Sequence, residues 1–243
     1  MIYDNISGLL LLDKPSNITS FKVVHKIKRV LNVKKVGHCG TLDPAATGLL
    51  LILVGKATKL QDKFMKEDKV YVSSFLLGVT TDSGDLDGKV ISKNDFSNID
   101  IKMIMRVTEL FKGEIFQIPP MYSALKRNGR KFYEFARCGV EIKREPRKVI
   151  IKEFDVLSYN KDNIKVRIEC SSGTYIRTLA QDFGNVLKCG ATVKTLRRER
   201  VGAFNVKDAL DFEDADDTDK IIRKLIPFDE LFEFAEASHL YIK

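Results

Sequence analysis

The sequence predicts a globular fold in which β-strands alternate with α-helices. The 243-residue chain is 44% hydrophobic, enough to bury the core of one large domain or of a domain with an appendage. Apolar runs of strand length, residues 8–13 and 49–54, are followed by charged residues or glycine. Other segments carry apolar residues at helical spacing. Both kinds of secondary structure therefore contribute to the core.

The first strand and the first helix are predicted within residues 8–31. The run G-L-L-L-L-D-K-P is typical of a central strand that ends at Lys14-Pro15. Thr19 or Ser20 can cap the helix that follows. We expect its apolar face to contain Phe21, Val24, Ile27 and Leu31. Its basic residues fall mostly elsewhere on the helix: Lys22, Lys26, Lys28 and Arg29. They form either a solvated face or a face that contacts phosphates.

The remaining elements are predicted from strand and helix periodicity and from capping residues. The acids of the loop 80–88 lack the glutamate spacing of an EF-hand, so this loop is predicted to be a hairpin connection. Asp100 is predicted to cap a helix that Gly113 closes as its C′ residue. The other predicted elements are a buried strand 49–54, a short helix or turn 56–65, strands 69–79 and 114–118, a hairpin of strands 147–159 and 163–170, a helix with Ile176, Leu179 and Phe183 on its apolar stripe, and a strand 189–206.

The positive charge of the chain is concentrated in its first 207 residues. Lys and Arg number 41 against 33 Asp and Glu, which gives a formal charge of +8 and a pI near 9.2. Residues 208–243 carry a net charge of −7, so residues 1–207 carry +15. This distribution favours a polyanionic partner, such as a nucleic acid, for the body of the chain.

The most basic segment is 122–152, which holds ten Lys or Arg residues against three acids. Four aromatic residues are interleaved with these bases: Tyr122, Phe132, Tyr133 and Phe135. Cations neutralise phosphates and rings stack on exposed bases, so the combination suits RNA. The alternative is an exposed amphipathic helix, and for Phe132 and Phe135 inward packing is the preferred interpretation.

The cysteines and the apolar runs exclude several other classes of protein. The four cysteines, Cys39, Cys138, Cys170 and Cys189, include no C-x-x-C pair, so neither a zinc site nor a disulfide framework is predicted. Reduced thiols indicate a cytoplasmic protein. The longest purely apolar runs have about six residues, far short of the roughly 18 that cross a bilayer. The N-terminus lacks a basic signal region, and the phosphate-binding P-loop and G-x-G-x-x-G motifs are missing.

A single carboxylate, Asp43, lies in the otherwise uncharged segment 36–55, with His38 five residues before it. Because Asp43 precedes Pro44, one interpretation is the N-cap of a helix. Gly48 and the apolar run after it leave room for barely one helical turn, however. The flanking glycines instead favour a tight loop that lets another backbone or a ligand approach the carboxylate.

The string G-H-C-G-T-L-D-P-A-A-T-G, residues 37–48, closely resembles the signature loop of the TruB family. This family contains the tRNA pseudouridine synthases that isomerise uridine 55 of the T loop. The resemblance implies that Asp43 is the catalytic nucleophile and that His38 helps to draw the target uridine out of the loop. It extends over about residues 7–206.

Two further motifs near the N-terminus resemble the same family. The motif L-L-D-K-P resembles a Lys-Pro pair at the rim of the family's active site, which makes Lys14 a candidate for substrate contact and Pro15 structural. Tyr71 lies in the family's K-x-Y pattern. The resemblance implies that Tyr71 stacks on the target base and is a proton acceptor, whereas a strand tyrosine is otherwise usually a core residue.

The string C-S-S-G-T-Y-I-R-T-L-A-Q-D-F-G, which begins at Cys170, also matches the family. Arg177 stands in the first turn of a predicted helix, where its charge opposes the helix dipole, so it needs an acidic partner. The resemblance implies that Arg177 pairs with Asp43, that Tyr175 packs against the bound base and that Leu196 lines the pocket. Arg197, Arg198 and Arg200 either extend the RNA surface or are solvated.

The segment P-P-M-Y-S-A-L-K-x-x-G-x-x-x-Y-E-x-A-R-x-G resembles the family's thumb, an insertion that clamps the T-arm hairpin. The thumb would span about residues 119–147. Its positive charge agrees with that role. The resemblance supplies these RNA-binding candidates: Lys126, Arg127, Arg130, Lys131 and Arg137.

The fold implied by the resemblance is α+β, the pseudouridine synthase fold. It has a large mixed, mainly antiparallel sheet, flanking helices and the basic thumb insertion. Residues 1–207 would form the catalytic domain, and residues 208–243 an acidic helical tail. The tail leaves no room for the complete PUA domain that many members carry. The chain is therefore expected to be either a short member or one that ends early.

The predicted activity is isomerisation of uridine 55, with base flipping and an aspartate nucleophile. No metal and no cofactor are expected, and the expected partner is the T arm of tRNA, bound by a monomer with no membrane contact and no obligatory protein partner. Two alternatives stay open. One is a tRNA-binding or RNA-folding protein whose catalysis is secondary or lost. The other is a guide-dependent rRNA pseudouridine synthase, which normally needs a PUA domain.

Overall fold

The computed structural model describes residues 6–123, 125–127 and 129–231, and the side chains of Lys126, Arg127, Lys131 and Arg137 are outside that description. The chain divides into two units. The first contains residues 1–71 and 197–243, and the second contains residues 72–196. Both contain strands and helices, as predicted for an α+β fold.

The strands and helices follow the predicted alternation. The strands are β1 Gly8–Lys14, β2 Val36–Cys39, β3 Thr47–Val54, β4 Lys69–Leu77, β5 Val79–Thr81, β6 Val90–Lys93, β7 Gly113–Gln117, β8 Lys126–Arg127, β9 Arg130–Lys131, β10 Arg147–Asn160, β11 Asn163–Cys170, β12 Ala191–Val201, β13 Phe204–Asn205, β14 Leu210–Asp211 and β15 Ile226–Pro227. The helices are α1 Ser20–Leu31, α2 Gln61–Met65, α3 Ile101–Leu110, α4 Phe132–Arg137, α5 Ile176–Val186 and α6 Thr218–Lys224, with 3-10 turns at Gly55–Leu60, Val206–Asp208 and Phe212–Asp216. Within the described ranges, no helix has the length and apolarity needed to cross a membrane.

The sheet of the first unit is built on β1, and its strands follow the order β14-β1-β3-β12. β1 pairs antiparallel with β3 from Gly8 opposite Val54 to Lys14 opposite Gly48. Three further pairs are antiparallel: β2 with β3, β13 with β12, and β15 with β1. The pairs β1–β14 and β3–β12 are parallel. The sheet is therefore mixed and mainly antiparallel.

Both faces of β1 and β3 are covered, which explains their continuous apolar sequences. Successive side chains point to opposite faces of the sheet and feed two clusters. One cluster includes Leu10, Leu12, Leu50 and Ile52 with Val23, Ile27 and Leu31 of α1. The other includes Leu9, Leu11, Leu49 and Leu51 with Phe64 and Phe204.

The sheet of the second unit follows the order β12-β4-β11-β10-β7. β10 and β11 form the predicted hairpin, closed by a two-residue turn at Lys161, which has a φ of 52°. The core of the unit is a cluster of four phenylalanines whose ring centroids lie 5.7–6.4 Å apart: Phe75, Phe111, Phe154 and Phe183. Between β7 and β10, the chain forms the separate β8–β9 ladder and α4, so this segment is an insertion between paired strands.

Helix α1 begins where the sequence predicts, but its buried face differs from the prediction. Thr19 caps it by accepting a hydrogen bond from the Lys22 N–H at 3.2 Å. The buried residues are Ser20, Val23, Ile27 and Leu31. Phe21 is 73% exposed, so its predicted place in the core is wrong. The small Ser20 side chain faces inward and bonds to the backbone of Leu42, which is buried. In this orientation of the helix Phe21 faces outward.

Two element boundaries also differ from the predictions. Asp100 caps α3, as predicted, through a 2.7 Å bond from the Met103 N–H. The helix ends at Leu110, however, and Gly113 with its φ of +91° opens β7 instead of closing α3. The predicted strand 189–206 is divided into β12 and β13 by a turn at Gly202, whose φ of +54° cannot continue a strand.

The acidic segment that begins at Asp208 is not helical throughout. Its described part contains α6 and two short strands, β14 and β15, which pair with β1. Asp217 caps α6 by accepting from the Asp219 and Lys220 N–H groups. Residues 232–243 lie outside the described part of the chain. The acidic segment thus adds strands to the sheet of the first unit.

The close packing of α5 at Gly184 predicts that an alanine there lowers stability. An added Cβ at Gly184 would lie 2.0 Å from the Ala191 backbone nitrogen. Gly-to-Ala changes in helices usually raise stability by up to about 1 kcal/mol. Here we expect Gly184→Ala to lower the free energy of unfolding by about 2 kcal/mol, because backbone must shift. Urea unfolding measures this difference.

The exposed neighbour Asn185 supplies a matched control in the same helix. Asn185→Ala should change the free energy of unfolding by less than about 0.5 kcal/mol. A Gly184→Ala protein as stable as the native one would contradict the close packing of α5 against the start of β12.

Candidate active site

Asp43 lies in the loop 40–46, which joins β2 to β3 in the first unit. The Ala46 N–H donates to the Asp43 carbonyl at 3.1 Å, so the chain turns tightly after the carboxylate. β3 begins at Thr47, which leaves no helix for Asp43 to cap. Asp43 therefore lies in a tight loop, as the flanking glycines predicted, and is not the N-cap of a helix. The Asp43 residue is half-buried.

Two serines near the start of α1 fix this loop. The Ser20 hydroxyl accepts from the Leu42 N–H at 3.0 Å and donates to the Leu42 carbonyl at 3.1 Å. Ser20 is buried. The Ser16 hydroxyl donates to the Ala45 carbonyl at 3.1 Å. Residues on both sides of Asp43 are thus bonded to the segment that enters α1.

Lys14 is fully buried at the end of β1, and its ammonium is used within the protein. Nζ donates to the carbonyls of Pro15, Ile18 and Pro44 at 2.9, 2.8 and 3.1 Å. These bonds match the three N–H donors of an ammonium group. The described contacts of Lys14 are therefore all within the protein, and its predicted contact with the substrate stays a prediction.

The electrostatic environment of Lys14 links it to Asp43. Burial lowers the pKa of Lys14 to about 8, the Asp43 carboxylate opposes this shift, and Arg198 adds to it. Lys14 is therefore charged at neutral pH and lies close enough to Asp43 for the two charges to interact. Two of the predicted site residues are brought together in this way.

Arg198 of β12 lies beneath the loop and was not identified from the sequence as a site residue. It is 1% exposed, so it neither extends an RNA surface nor is solvated. Its Nε donates to the Leu49 carbonyl at 2.8 Å and its Nη2 to the Gly40 carbonyl at 3.0 Å. One planar guanidinium group thus joins the two ends of the loop.

The glycines of the loop make room for Arg198. Gly48 has a φ of +101°, and an added Cβ would lie 2.2 Å from the Arg198 carbonyl oxygen. Gly40 has a φ of +84°, and its added Cβ would lie 3.3 Å from Nη1 of Arg198. The neighbouring Arg197 instead pairs with Asp13 through two contacts of 3.0 and 2.5 Å. The close approach predicted from the glycines is an approach of β12.

His38, Cys39 and Tyr71 also belong to the first unit. His38 lies on β2, opposite Ile52, and its carbonyl accepts from Gln61 Nε2 at 3.2 Å. Tyr71 on β4 is buried, with 8% of its surface exposed. Burial raises the pKa of the Cys39 thiol to about 12, so Cys39 stays a neutral thiol at neutral pH.

Arg177 is held in the second unit by the loop 80–88 and by the thumb. Its Nη1 donates to the Ser83 carbonyl at 3.0 Å and its Nη2 to the Tyr122 carbonyl at 2.7 Å. Its Nε lies 3.7 Å from Oδ2 of Asp85. The predicted need of Arg177 for an acidic partner is thus confirmed by Asp85, while its pairing with Asp43 stays a prediction.

Gln117 supports Tyr175, and sequence analysis missed this residue. The Tyr175 N–H donates to Oε1 of Gln117 at 3.0 Å, and Gln117 Nε2 donates to the Tyr175 carbonyl at 3.3 Å. Gln117 is buried at the end of β7. Tyr175 is the N-cap residue of α5. Leu196 is half-buried on β12.

Few thumb side chains can be described. The Arg130 guanidinium carbon lies 4.7 Å from the centre of the Phe135 ring, and its Nε lies 4.0 Å from Oε2 of Glu134. Phe132 is buried, in agreement with its preferred inward packing, and Phe135 is half-buried. Four of the five RNA-binding candidates have side chains outside the described part of the structure: Lys126, Arg127, Lys131 and Arg137.

Two family comparisons cover most of the chain. Residues 28–176 match the N-terminal domain of the TruB family of pseudouridylate synthases. Residues 177–233 match the C-terminal domain of tRNA pseudouridylate synthase B. The first match includes Asp43 and Tyr71, and the second begins at Arg177.

Named relatives agree with the family comparison. The chain is 73% identical over 225 residues to a tRNA pseudouridine synthase B of Endomicrobium trichonymphae, covering 93% of this chain and 98% of the relative. It is 44% identical over 214 residues to a tRNA pseudouridine synthase B of Francisella philomiragia, covering 88% of this chain and 71% of the relative.

Two solved structures share the fold. One is a chain from a crystal structure of a Cbf5-Nop10-Gar1 complex, with a TM-score of 0.70 and 29% identity over 95% of this chain and 59% of that one. The other comes from an H/ACA RNP bound to a substrate RNA containing 2'-deoxyuridine, with a TM-score of 0.69 and 27% identity over 93% of this chain and 61% of that one. This chain thus spans about three fifths of the length of each.

The lowered pKa of Lys14 predicts a pH-dependent contribution to stability. Between pH 8 and 10.5 the unfolded chain keeps the Lys14 proton while the folded chain has released it. Stability therefore rises with pH in this window, by about 3 kcal/mol at 1.36 kcal/mol per pKa unit. Urea unfolding of the native protein and of Lys14→Met at pH 7 to 10.5 tests this.

The variant cannot titrate at position 14, so its deficit in unfolding free energy should widen as the pH rises from 8 to 10.5. Below pH 8 the deficit should be constant at about 1–3 kcal/mol, from carbonyls left without donors. A deficit that stays the same across the whole range would contradict the lowered pKa.

The two bonds of Arg198 predict that lysine cannot replace it. Lysine carries a point charge and cannot match a planar fork aimed at the Leu49 and Gly40 carbonyls. We expect Arg198→Lys to lower the free energy of unfolding by about 2 kcal/mol and to speed hydrogen exchange at the Leu42 amide. Arg29→Lys, on the exposed face of α1, is the control. Equal effects of the two variants would mean that Arg198 does not hold the loop.

Proposed function

The chain belongs to the TruB family of pseudouridine synthases, and from this membership we propose that it isomerises uridine 55 in the T loop of tRNA. It is a tRNA pseudouridine synthase, an isomerase. The observation that supports the proposal best is the loop 40–46, in which Asp43 is held between bonded carbonyls and close to the buried ammonium of Lys14.

We propose Asp43 as the nucleophile because the fixed loop suits that task. A nucleophile acts efficiently when its position is set before the substrate arrives. Ser20, Lys14 and Arg198 bond to the loop backbone and not to the carboxylate in these contacts. The nearby cationic charge of Lys14 favours the ionised carboxylate that nucleophilic attack requires.

The target uridine has to leave the T loop before Asp43 can reach it. Extrusion costs a few kcal/mol of lost stacking. We propose that His38 helps to draw the base out, and that stacking on Tyr71 and packing against Tyr175 offset part of this cost. Leu196 would line the pocket. The bonds from Gln117 to the Tyr175 backbone would keep that residue in place.

The reaction needs no co-reactant, because uridine and pseudouridine are isomers. The bond between N1 of the base and C1′ of the sugar breaks, the uracil rotates, and a bond forms between C5 and C1′. The base loses the proton on C5 and gains one on N1. Asp43 would attack the sugar or the base, and in a route through a glycal Tyr71 would take the sugar proton. Arg177 would pair with Asp43 and keep it ionised.

We propose that the thumb and the basic surface of the chain hold the T arm. Arg130 is the one thumb candidate whose side chain is described, and it is exposed, as a phosphate contact requires. The proposal also includes a monomeric enzyme without metal or organic cofactor that acts in the cytoplasm. The catalytic part would be residues 1–207 with the thumb at about 119–147.

A guide-dependent rRNA synthase is the second candidate, because both reported solved relatives come from larger RNA–protein or multiprotein complexes. Their identity to this chain is 27–29%, against 73% for the tRNA pseudouridine synthase B of Endomicrobium trichonymphae. The tRNA reaction is therefore the better supported proposal. An assay without guide RNA separates the two.

The proposal predicts the effect of Asp43→Asn on pseudouridine formation. The substrate is an unmodified T-arm hairpin, with no guide RNA present. We expect the native protein to modify uridine 55, and Asp43→Asn to lose at least about 10³-fold in turnover, as removal of a nucleophile does. RNA binding, measured in parallel, should change little, because a carboxylate has the same sign of charge as phosphate and contributes no electrostatic attraction to it.

Asp62→Asn is the control, since Asp62 is an exposed carboxylate of the same unit. It should retain native turnover. Native protein that binds the hairpin without reacting would favour an RNA-binding or guide-dependent role. Turnover retained by Asp43→Asn would remove Asp43 as the nucleophile.

A further inference from the structure

We propose that the outer face of α1 is a second RNA-contacting surface, next to the loop that holds Asp43, and that it binds the substrate RNA beside the target uridine. This surface, the α1 outer face, consists of Phe21, Lys22, His25, Lys28 and Arg29. The inference rests on the proposed function, because it assumes that the polyanion at this site is RNA.

The five residues lie on one side of the helix and are all exposed. Their spacing follows the helical repeat, so they form one strip about 12 Å long at 1.5 Å per residue. Helix α1 contains no acidic residue. The strip therefore presents only positive or aromatic side chains to solvent.

The charges of the α1 outer face are left open to solvent in the described part of the chain. Lys22, Lys28 and Arg29 make no side-chain hydrogen bond or ion pair with any residue of the described ranges. Lys26, on another side of the helix, behaves differently. It lies 2.8 Å from Oδ2 of Asp216 and 4.1 Å from the centre of the Phe212 ring. The acidic segment thus neutralises Lys26 and leaves the outer face charged.

The exposure of Phe21 is not explained if the α1 outer face only contacts solvent. It is 73% exposed, although burial of a phenylalanine stabilises a protein by roughly 1.5–3 kcal/mol. Its ring centroid lies 6.3 Å from that of His25, with the ring planes at 37°. Aromatic rings beside free cations form the combination on which unpaired RNA bases stack while the cations meet phosphates.

The position of Phe21 indicates which part of the RNA the α1 outer face would contact. Phe21 follows Ser20, whose hydroxyl bonds to both the N–H and the carbonyl of Leu42, the residue before Asp43. Phe21 is thus next in the chain to the residue that holds the Asp43 loop, and in the proposal the nucleotides beside the target uridine reach it. The partner that fits is the single-stranded loop of the substrate, with Phe21 on a base and Lys28 and Arg29 on phosphates further along.

The test is RNA binding by Phe21→Ala and by Lys28→Ala/Arg29→Ala, both in the Asp43→Asn background so that the RNA is not modified. The probe is the unmodified T-arm hairpin, titrated at several salt concentrations. We expect each variant to raise Kd about tenfold. The double variant should also lower the salt slope of log Kd by about 1.5, because two phosphate contacts are lost. The thermal midpoint should stay at its native value.

Helix α3 supplies matched controls, since Lys102, Met105 and Arg106 are exposed on it at similar spacing. Met105→Ala removes a large exposed apolar side chain and Lys102→Ala/Arg106→Ala removes two exposed cations from another helix. Both should leave Kd and the salt slope near the native values. Native Kd and slope in the α1 variants would overturn the proposal. Equal losses in the α1 and α3 variants would also overturn it, because they would show a general effect of net charge.

The two proposals can fail separately. Absence of pseudouridine in the hairpin with the native protein would refute the proposed function, and the binding data would still decide whether α1 contacts RNA. Restored catalysis in Phe21→Ala at saturating hairpin, with a raised KM, would support a binding role next to the site.

Discussion

Hydrogen bonds to the backbone of the loop 40–46 are the constraint on which the candidate site depends. A tight loop has no strand or helix partner for its carbonyls, and buried carbonyls need donors. Here the donors come from three elements: Lys14 at the end of β1, Ser20 at the start of α1 and Arg198 on β12. The position of Asp43 is therefore set by the packing of these elements and not by the loop itself.

Two buried cations, Lys14 and Arg198, bond to the backbone around Asp43, and burial explains why they do. Burial of a charge is costly unless the charge is fully hydrogen-bonded. Lys14 meets this requirement with three carbonyls, and Arg198 bonds two. The positive charge of Lys14 still interacts with the carboxylate of Asp43. The lysine that bonds to the loop at the Pro44 carbonyl therefore also places a positive charge close to Asp43.

The sequence predicted the local features well because they depend on residues close in the chain. The caps at Thr19 and Asp100 and the hairpin of β10 and β11 are of this kind. The loop around Asp43 was predicted from its glycines. The side of a helix or strand that faces inward was harder to predict. Neighbouring Arg197 and Arg198 point to opposite faces of β12, and the sequence does not show which one is buried. The supporting role of Gln117 depends on a contact 58 residues away.

Phe21 is a second case in which the sequence alone does not show which side of an element faces inward. Two stripes of α1, one starting at Ser20 and one at Phe21, share Ile27 and Leu31, so periodicity alone cannot choose between them. The choice is made by the bond between Ser20 and Leu42, which requires Ser20 to face inward. The contact that anchors the loop 40–46 is thus the one that turns Phe21 to the surface. The orientation of α1 about its axis therefore links the loop that carries Asp43 to the exposure of the Phe21 ring.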